Sequence, residues 1–280
     1  MRNLKRALSL ALASVMLLGM MVVGSSAKGI DDFTDKAEIV NQDAVAVTSA
    51  IGMFEGYEDG SFGPENVVTR AEMAVIICTM LYGAGVNVNQ FAETSVFTDV
   101  PAWAEGYVNL CSSLGIVAGV GEGKFDPNAT VTTAQAVLML CRALGYFQSA
   151  ADFGSDWMLA ATAKGTQLGL YGDLKLAANE GLTRDNAAQM VWNALDAGVV
   201  SYDYTLITDG SSITSSPTLI DNESKTLLTD KFKVSKLEGV IVANENATST
   251  GTAVEKEDVT VLLLTSDDAD SKQDEGDTIT

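Results

Sequence analysis

Three stretches of this sequence share a pattern that can do chemistry: a threonine followed, in two cases, by an arginine. They read Thr69-Arg70-Ala71-Glu72, Thr132-Thr133-Ala134-Gln135 and Thr183-Arg184-Asp185-Asn186. A threonine caps a helix by accepting a backbone N–H three residues on, and Glu or Gln at that third position returns a bond to the cap's own N–H. Each stretch is therefore expected to open a helix, with Arg70 and Arg184 in its first turn. Unpaired N–H groups and the positive end of the helix dipole favour an anion there. A guanidinium adds a planar pair of donors suited to carboxylate or phosphate. Residues 28–200 hold only eight basic residues, so two arginines at equivalent helix starts suggest a ligand role. With Thr133 in place of arginine, the second copy is expected to be weaker or purely structural.

What is missing is equally informative. The 280 residues contain no histidine, which removes the Ser-His-Asp triad, the HExxH zinc site and any imidazole proton shuttle. The formal charge is −20, from 17 Lys+Arg against 37 Asp+Glu. Long-range attraction to nucleic acid or to an anionic membrane is not expected, and an anionic partner needs a local basic site. Nothing in the sequence calls for a cofactor.

The helix starts belong to a longer repeat. Phe33-Thr34-Asp35 recurs as Phe97-Thr98-Asp99, and Gly60-Ser61-Phe62-Gly63-Pro64 recurs as Gly123-Lys124-Phe125-Asp126-Pro127. The first two copies are 63 residues apart over their body, and the third follows after 51 with a shortened loop. Each copy has an opening helix, clearest in Trp103, Tyr107, Leu110, Cys111 and Leu114, which fall on one helical face. Gly52, Gly115 and Gly169 mark the ends of those helices. A loop rich in Gly, Asp and Asn follows, then the capped second helix with its apolar stripe, such as Met73, Ile76, Ile77, Met80 and Leu81. One such unit cannot bury its own stripe, whereas three packed about a common axis can. The expected fold is mainly α: three helix-loop-helix repeats in one pseudo-threefold domain, followed by a small or incomplete β-rich segment. Cys78, Cys141 and Trp192 take the same place in the three second helices and are expected in the core.

The ends differ in character. Residues 1–27 read as a secretory signal, with Arg2, Lys5 and Arg6 ahead of an apolar run and Ser25-Ser26-Ala27 at its close. An uncleaved membrane anchor is the alternative. Cleavage would carry the charge from −20 to −23 and leave no membrane segment. Cys78, Cys111 and Cys141 sit on apolar faces and are expected as buried thiols, with a Cys78–Cys141 disulfide as the alternative. Beyond residue 200, Thr, Ser, Asp and Val dominate, with strand-like runs at Lys236–Asn244 and at residues 258–265. Residues 266–280 look disordered or cut short. The acidic cluster Asp267, Asp268 and Asp270 lacks EF-hand spacing and is expected to be a solvated tail rather than a calcium site. The expected organisation is a signal at 1–27, repeats at 28–95, 96–150 and 151–200, and a β-rich or partly disordered acidic tail at 201–280.

The Phe-Thr-Asp opening, the Gly-x-x-x-Gly-x-Phe-x-Pro loop and the Thr-Arg-Ala-Glu helix start, in that order, resemble S-layer homology repeats over about 165 residues. The resemblance implies a three-repeat domain that binds secondary cell wall polysaccharide non-covalently at the cell surface, in grooves between neighbouring repeats, through a pyruvylated amino sugar. Carried over, Arg70 binds the ketal carboxylate in one groove and Arg184 is the candidate in another. Thr69 and Thr183 support them as caps, Trp103 lines a wall against the sugar's apolar face, and Asp35 and Asp99 are polar partners of sugar hydroxyls. Other surface-layer subunits are further implied partners. Two departures reduce the expected number of competent grooves below three: Thr133 in copy two, and Phe153-Gly154-Ser155-Asp156 at the opening of copy three. The competing reading is a wall-processing hydrolase built on paired carboxylates.

Overall fold

The computed structural model describes residues 29–92, 96–148, 150–208, 213–233, 236–244, 259–267 and 278–279. The signal segment lies outside the described residues, as do Asp268 and Asp270. Contacts divide the chain into two units, Met1–Glu223 and Ser224–Thr280.

The first unit is helical as far as Asp196. Its opening helices are α1 (Gln42–Ala50), α4 (Ala102–Ser113) and α6 (Trp157–Gln167), and its second helices are α2 (Arg70–Tyr82), α5 (Thr133–Ala143) and α7 (Arg184–Asp196). A single turn, α3 (Asn89–Ala92), packs on α4. The predicted glycines end the opening helices in the left-handed region, at φ 75°, 70° and 70° for Gly52, Gly115 and Gly169. A side chain there would be strained, which is why glycine stops all three.

The repeats do not fold as separate hairpins. Each second helix packs on the opening helix of the next repeat, α2 on α4 and α5 on α6, and α7 returns to α1. That last contact closes the ring. Buried Asp185, at the start of α7, reinforces it by accepting from the backbone N–H and the Nδ2 of Asn41 at 3.1 and 2.7 Å.

Three backbone bonds mark the pseudo-threefold axis. Val68 N–H donates to Leu182 O at 2.8 Å, Leu182 N–H to Val131 O at 2.9 Å, and Val131 N–H to Val68 O at 2.9 Å. Each residue precedes a helix cap, and all three are buried. Buried amides need partners, and the symmetry gives each strand-like segment the next one as its own. Around this axis Met73, Ile77, Met80, Leu140, Leu144, Met190 and Leu195 are fully buried, as the stripes predicted. Trp192 departs from that expectation. Cys78 and Cys141 are fully buried, but the larger indole stays half-exposed.

All three cysteines are free and buried. The sulfur beside Cys78 is that of Cys111, at 3.5 Å, so the alternative Cys78–Cys141 bridge is not formed. Burial pushes the Cys141 thiol up to about 12, which keeps it an unreactive hydrophobe.

After α7 the chain enters β1 (Gly198–Thr208), paired with β2 (Ile213–Thr226) in a two-stranded sheet. Neither strand is among the runs that the sequence pattern singles out. The second unit contains a turn of helix, α8 (Leu227–Asp230), and a three-stranded sheet in the order β3-β4-β5, from Lys236–Asn244, Val259–Asp267 and Thr278–Ile279. β3 and β4 are antiparallel with two register shifts. The predicted run at Lys236–Asn244 is found, and the second is displaced by one or two residues. Part of the segment expected to be disordered, at β5, pairs with β4.

Candidate functional site

Each helix start lies against the loop of the next repeat. Arg70 N–H donates to Ala129 O at 2.9 Å and Ala71 N–H to Pro127 O at 3.0 Å. Thr133 and Ala134 repeat this with Glu180 O and Ala178 O, and Arg184 and Asp185 with Asn66 O and Pro64 O. The third N–H is taken by the cap: Glu72 N–H donates to Thr69 Oγ1, Gln135 to Thr132 and Asn186 to Thr183. The helix N-termini are therefore not open anion sites. Their first three donors hold the ring together, and the threonine hydroxyls are spent as caps. This corrects the expectation drawn from the sequence, which could not show that a neighbouring loop covers each helix end.

The two guanidinium groups extend beyond these covered helix ends, in settings that are matched but unequal. Arg70 Nε donates to Phe125 O at 2.9 Å and Nη2 to Ala118 O at 2.7 Å, with the group 4.4 Å over the Phe125 ring. Arg184 does the same in the first repeat's loop, Nε to Phe62 O at 2.9 Å and Nη2 to Glu55 O at 2.7 Å. It lies 4.9 Å from the Phe62 ring centroid and 5.0 Å from that of Tyr57. Arg70 is half-buried, whereas Arg184 is 8% exposed. Burial lowers both basicities, opposed at Arg70 by Asp126 and Asp99 and at Arg184 by Tyr57, Glu72 and Asp35.

These pairs explain why copy two departs from the repeat pattern at Thr133. The arginine of one repeat rests on the loop phenylalanine of the next, so Arg70 needs Phe125 and Arg184 needs Phe62. Thr133 faces the shortened loop of the third repeat, where Leu176 stands at the phenylalanine position. Its hydroxyl donates to Glu180 O at 3.3 Å and is fully buried. The missing arginine in copy two and the missing phenylalanine in copy three are one change. Thr133→Arg is accordingly expected to cost about 3 kcal/mol or more, from overpacking and a buried unpaired charge. Urea unfolding of the variant checks this.

Asp35 and Asp99 hold the loops that carry those phenylalanines. Asp35 accepts from the N–H groups of Phe62 and Gly63 at 2.7 and 2.8 Å, and Asp99 from Phe125 and Asp126 at 2.8 and 2.9 Å. The opening rings pack against them at a tilt, Phe33 on Phe62 at 5.3 Å and 57°, and Phe97 on Phe125 at 5.4 Å and 44°. In copy three, Asp156 instead caps α6, accepting from Met158 and Leu159. Burial pulls the Asp99 carboxyl upward, and the two N–H groups outweigh it, so the group sits below the usual carboxylate range. A lowered folded value contributes stability that is present above the unfolded value near pH 4 and lost as the pH falls below it. Asp99→Asn removes that titration, so its stability is expected to fall less than the wild type's between about pH 4 and 2. Paired acid titrations followed by circular dichroism check the difference.

Arg70 opens into a cavity of about 440 Å³. Its walls come from three repeats: residues 116–120 of the second loop, Gln135, Leu138, Met139 and Arg142 on α5, and Phe153 and Trp157 at the start of the third repeat. Trp103 is not there. It lines a separate cavity of about 460 Å³ with Asn87, Asn89 and Tyr107. Sequence reasoning missed Arg142, Phe153 and Trp157. The repeat spacing held a signal for the last: Trp157 stands twelve residues before Gly169, as Trp103 stands before Gly115.

The first unit is thus a closed ring of helical repeats, with an arginine of one repeat set on an aromatic loop of the next beside an apolar cleft. The S-layer homology domain model matches residues 32–74 and 96–137, and these two segments are S-layer homology repeats. The chain is similar to a cell surface protein of Thermoanaerobacter kivui, 34% identical over 220 residues, which is 78% of this chain and 27% of the relative. It is 30% identical over 196 residues to the middle cell wall protein of Brevibacillus brevis (69% of this chain, 18% of the relative). A surface layer protein of Brevibacillus choshinensis is 33% identical over 172 residues (60% of this chain, 15% of the relative). The aligned region spans about a quarter or less of each of these relatives.

Proposed function

We propose that this chain anchors itself at the bacterial cell surface by binding secondary cell wall polysaccharide in the cleft that Arg70 opens into. The observation that carries this reading is the state of Arg70. Phe125 and two carbonyls fix its guanidinium, it stays half-exposed at the mouth of a cavity, and Nη1 has no hydrogen-bond partner among the described residues. A held, partly desolvated cation with donors to spare suits a single carboxylate, such as the pyruvate ketal of a wall sugar. Apolar walls and Trp157 suit the face of a sugar ring.

The third copy, residues 151–200, acts in this reading as a repeat of the same kind that closes the ring. Arg184 binds loop carbonyls rather than wall polymer, and so fixes the geometry in which Arg70 works. The surface-layer and cell-wall names of the relatives favour anchoring over wall hydrolysis. So do Asp35 and Asp99, the carboxylates that two repeats set at equivalent positions, because both are committed to loop N–H groups. Contacts with other surface-layer subunits are compatible with this role. Co-sedimentation with purified wall sacculi is the test. The chain should pellet with intact sacculi and stay in solution once the non-peptidoglycan polysaccharide is extracted, and equal pelleting in both cases would refute the reading.

A further inference from the structure

We infer that the Arg70 cleft is built for a saccharide segment carrying two acid groups, one at Arg70 and a second at Arg142; this rests on the wall-polysaccharide reading and narrows its ligand. Residues 28–200 contain three arginines, and two of them line this one cavity. No Asp or Glu is among the lining residues, in a chain of net charge −20. Such a pocket is a local positive site in an acidic molecule.

Arg142 is poorly compensated where it stands. Its Nε is buried with no hydrogen-bond partner, Nη1 reaches Ile116 O only at 3.5 Å, and its guanidinium lies 5.2 Å from the Phe153 ring. No acidic side chain pairs with it among the described residues, and burial alone lowers its basicity. A half-buried cation without a counter-charge is costly unless an anion joins it. Arg142 also departs from its own repeat pattern. Ten residues after the cap threonine, the first and third copies carry Thr79 and Asn193, neither of which brings charge. The charge is thus specific to the α5 wall of this cleft.

The remaining walls say what lies between the two acids. Phe153 is braced by Phe147, ring on ring at 4.9 Å and 6°. Trp157 is 39% exposed and offers an indole face within the same cavity. Aromatic faces beside cations match a sugar whose apolar face is flanked by acid groups. The cavity volume of about 440 Å³ falls within the usual range of ligand sites.

The test compares two synthetic disaccharides binding to the full chain by calorimetry. One carries a single ketal-pyruvate carboxylate, and the other adds a uronate carboxylate on the neighbouring sugar. The wild type should bind the diacid at least about tenfold more tightly, equivalent to one charged contact of about 1.4 kcal/mol. Its diacid affinity should also fall more steeply with salt. Arg142→Gln should erase the preference by lowering diacid affinity more than monoacid affinity, and Arg142→Lys should retain much of it. Should Arg142→Gln fail to fold, the salt dependence of the wild type on the two ligands decides the matter. Equal wild-type affinity for both ligands, or a preference that survives in Arg142→Gln, overturns this inference and leaves the wall-polysaccharide reading standing. Wild-type binding to neither disaccharide refutes that reading and this inference together.

Discussion

Arg184→Met is expected to destabilise the helical unit by about 3 kcal/mol or more. The change removes two hydrogen bonds from a charged donor and leaves the carbonyls of Glu55 and Phe62 without that partner. It also strips the cation from a cage of Phe54, Tyr57 and Phe62. Arg184 sits where the last repeat meets the first, next to the buried Asp185 that holds Asn41. Loosening that seam opens the ring rather than one edge of it. Urea unfolding should show a lowered midpoint with the slope retained, and a shift under 1 kcal/mol would mean that the seam is held by apolar packing alone.

Arg70→Ala should have the opposite profile. Wall-polysaccharide affinity is expected to fall by about 2–3 kcal/mol, roughly 30- to 150-fold, because an acid group left in a partly dry cleft loses its charged partner. Stability should fall less than in Arg184→Met, since Arg70 is half-exposed and solvent can reach the carbonyls it releases. The two arginines share a motif and the same two kinds of backbone acceptor, and they differ in what lies beyond the guanidinium. At Arg70 that is a cavity, and at Arg184 it is protein. Isothermal titration with purified polysaccharide, alongside unfolding curves for both variants, separates the roles. Equal losses of affinity in the two variants, each in proportion to its loss of stability, would remove Arg70 as a ligand contact.

Much of the fold could be read from the sequence because its signals are local and tripled. Cap threonines, helix-end glycines and stripes at helical spacing depend on a few neighbouring residues, and repetition separates them from chance. The pairing of each second helix with the next repeat could not be read this way. It depends on which of several apolar faces meet across distance, and one unit alone does not specify that. For the same reason the helix ends looked open: their covering carbonyls, at Asn66, Ala129 and Glu180, belong to a different repeat from the helix they serve. Asp35 and Asp99 were visible as motif residues, but their partners are backbone N–H groups 26 to 28 residues away, which side-chain patterns do not reveal. Arg142 and Trp157 escaped notice because each looks ordinary within its own helix. They become site residues only when α5 and α6 are set around the loop of residues 116–120.

Recognition of acid-bearing wall sugar by the Arg70 cleft is most directly tested by calorimetry with one purified wall polysaccharide before and after mild acid hydrolysis of its pyruvate ketals. Binding is expected with the native polymer and should weaken by at least about 30-fold once the carboxylate is gone, the equivalent of about 2 kcal/mol. Unchanged affinity for the stripped polymer would contradict recognition of the acid by the guanidinium.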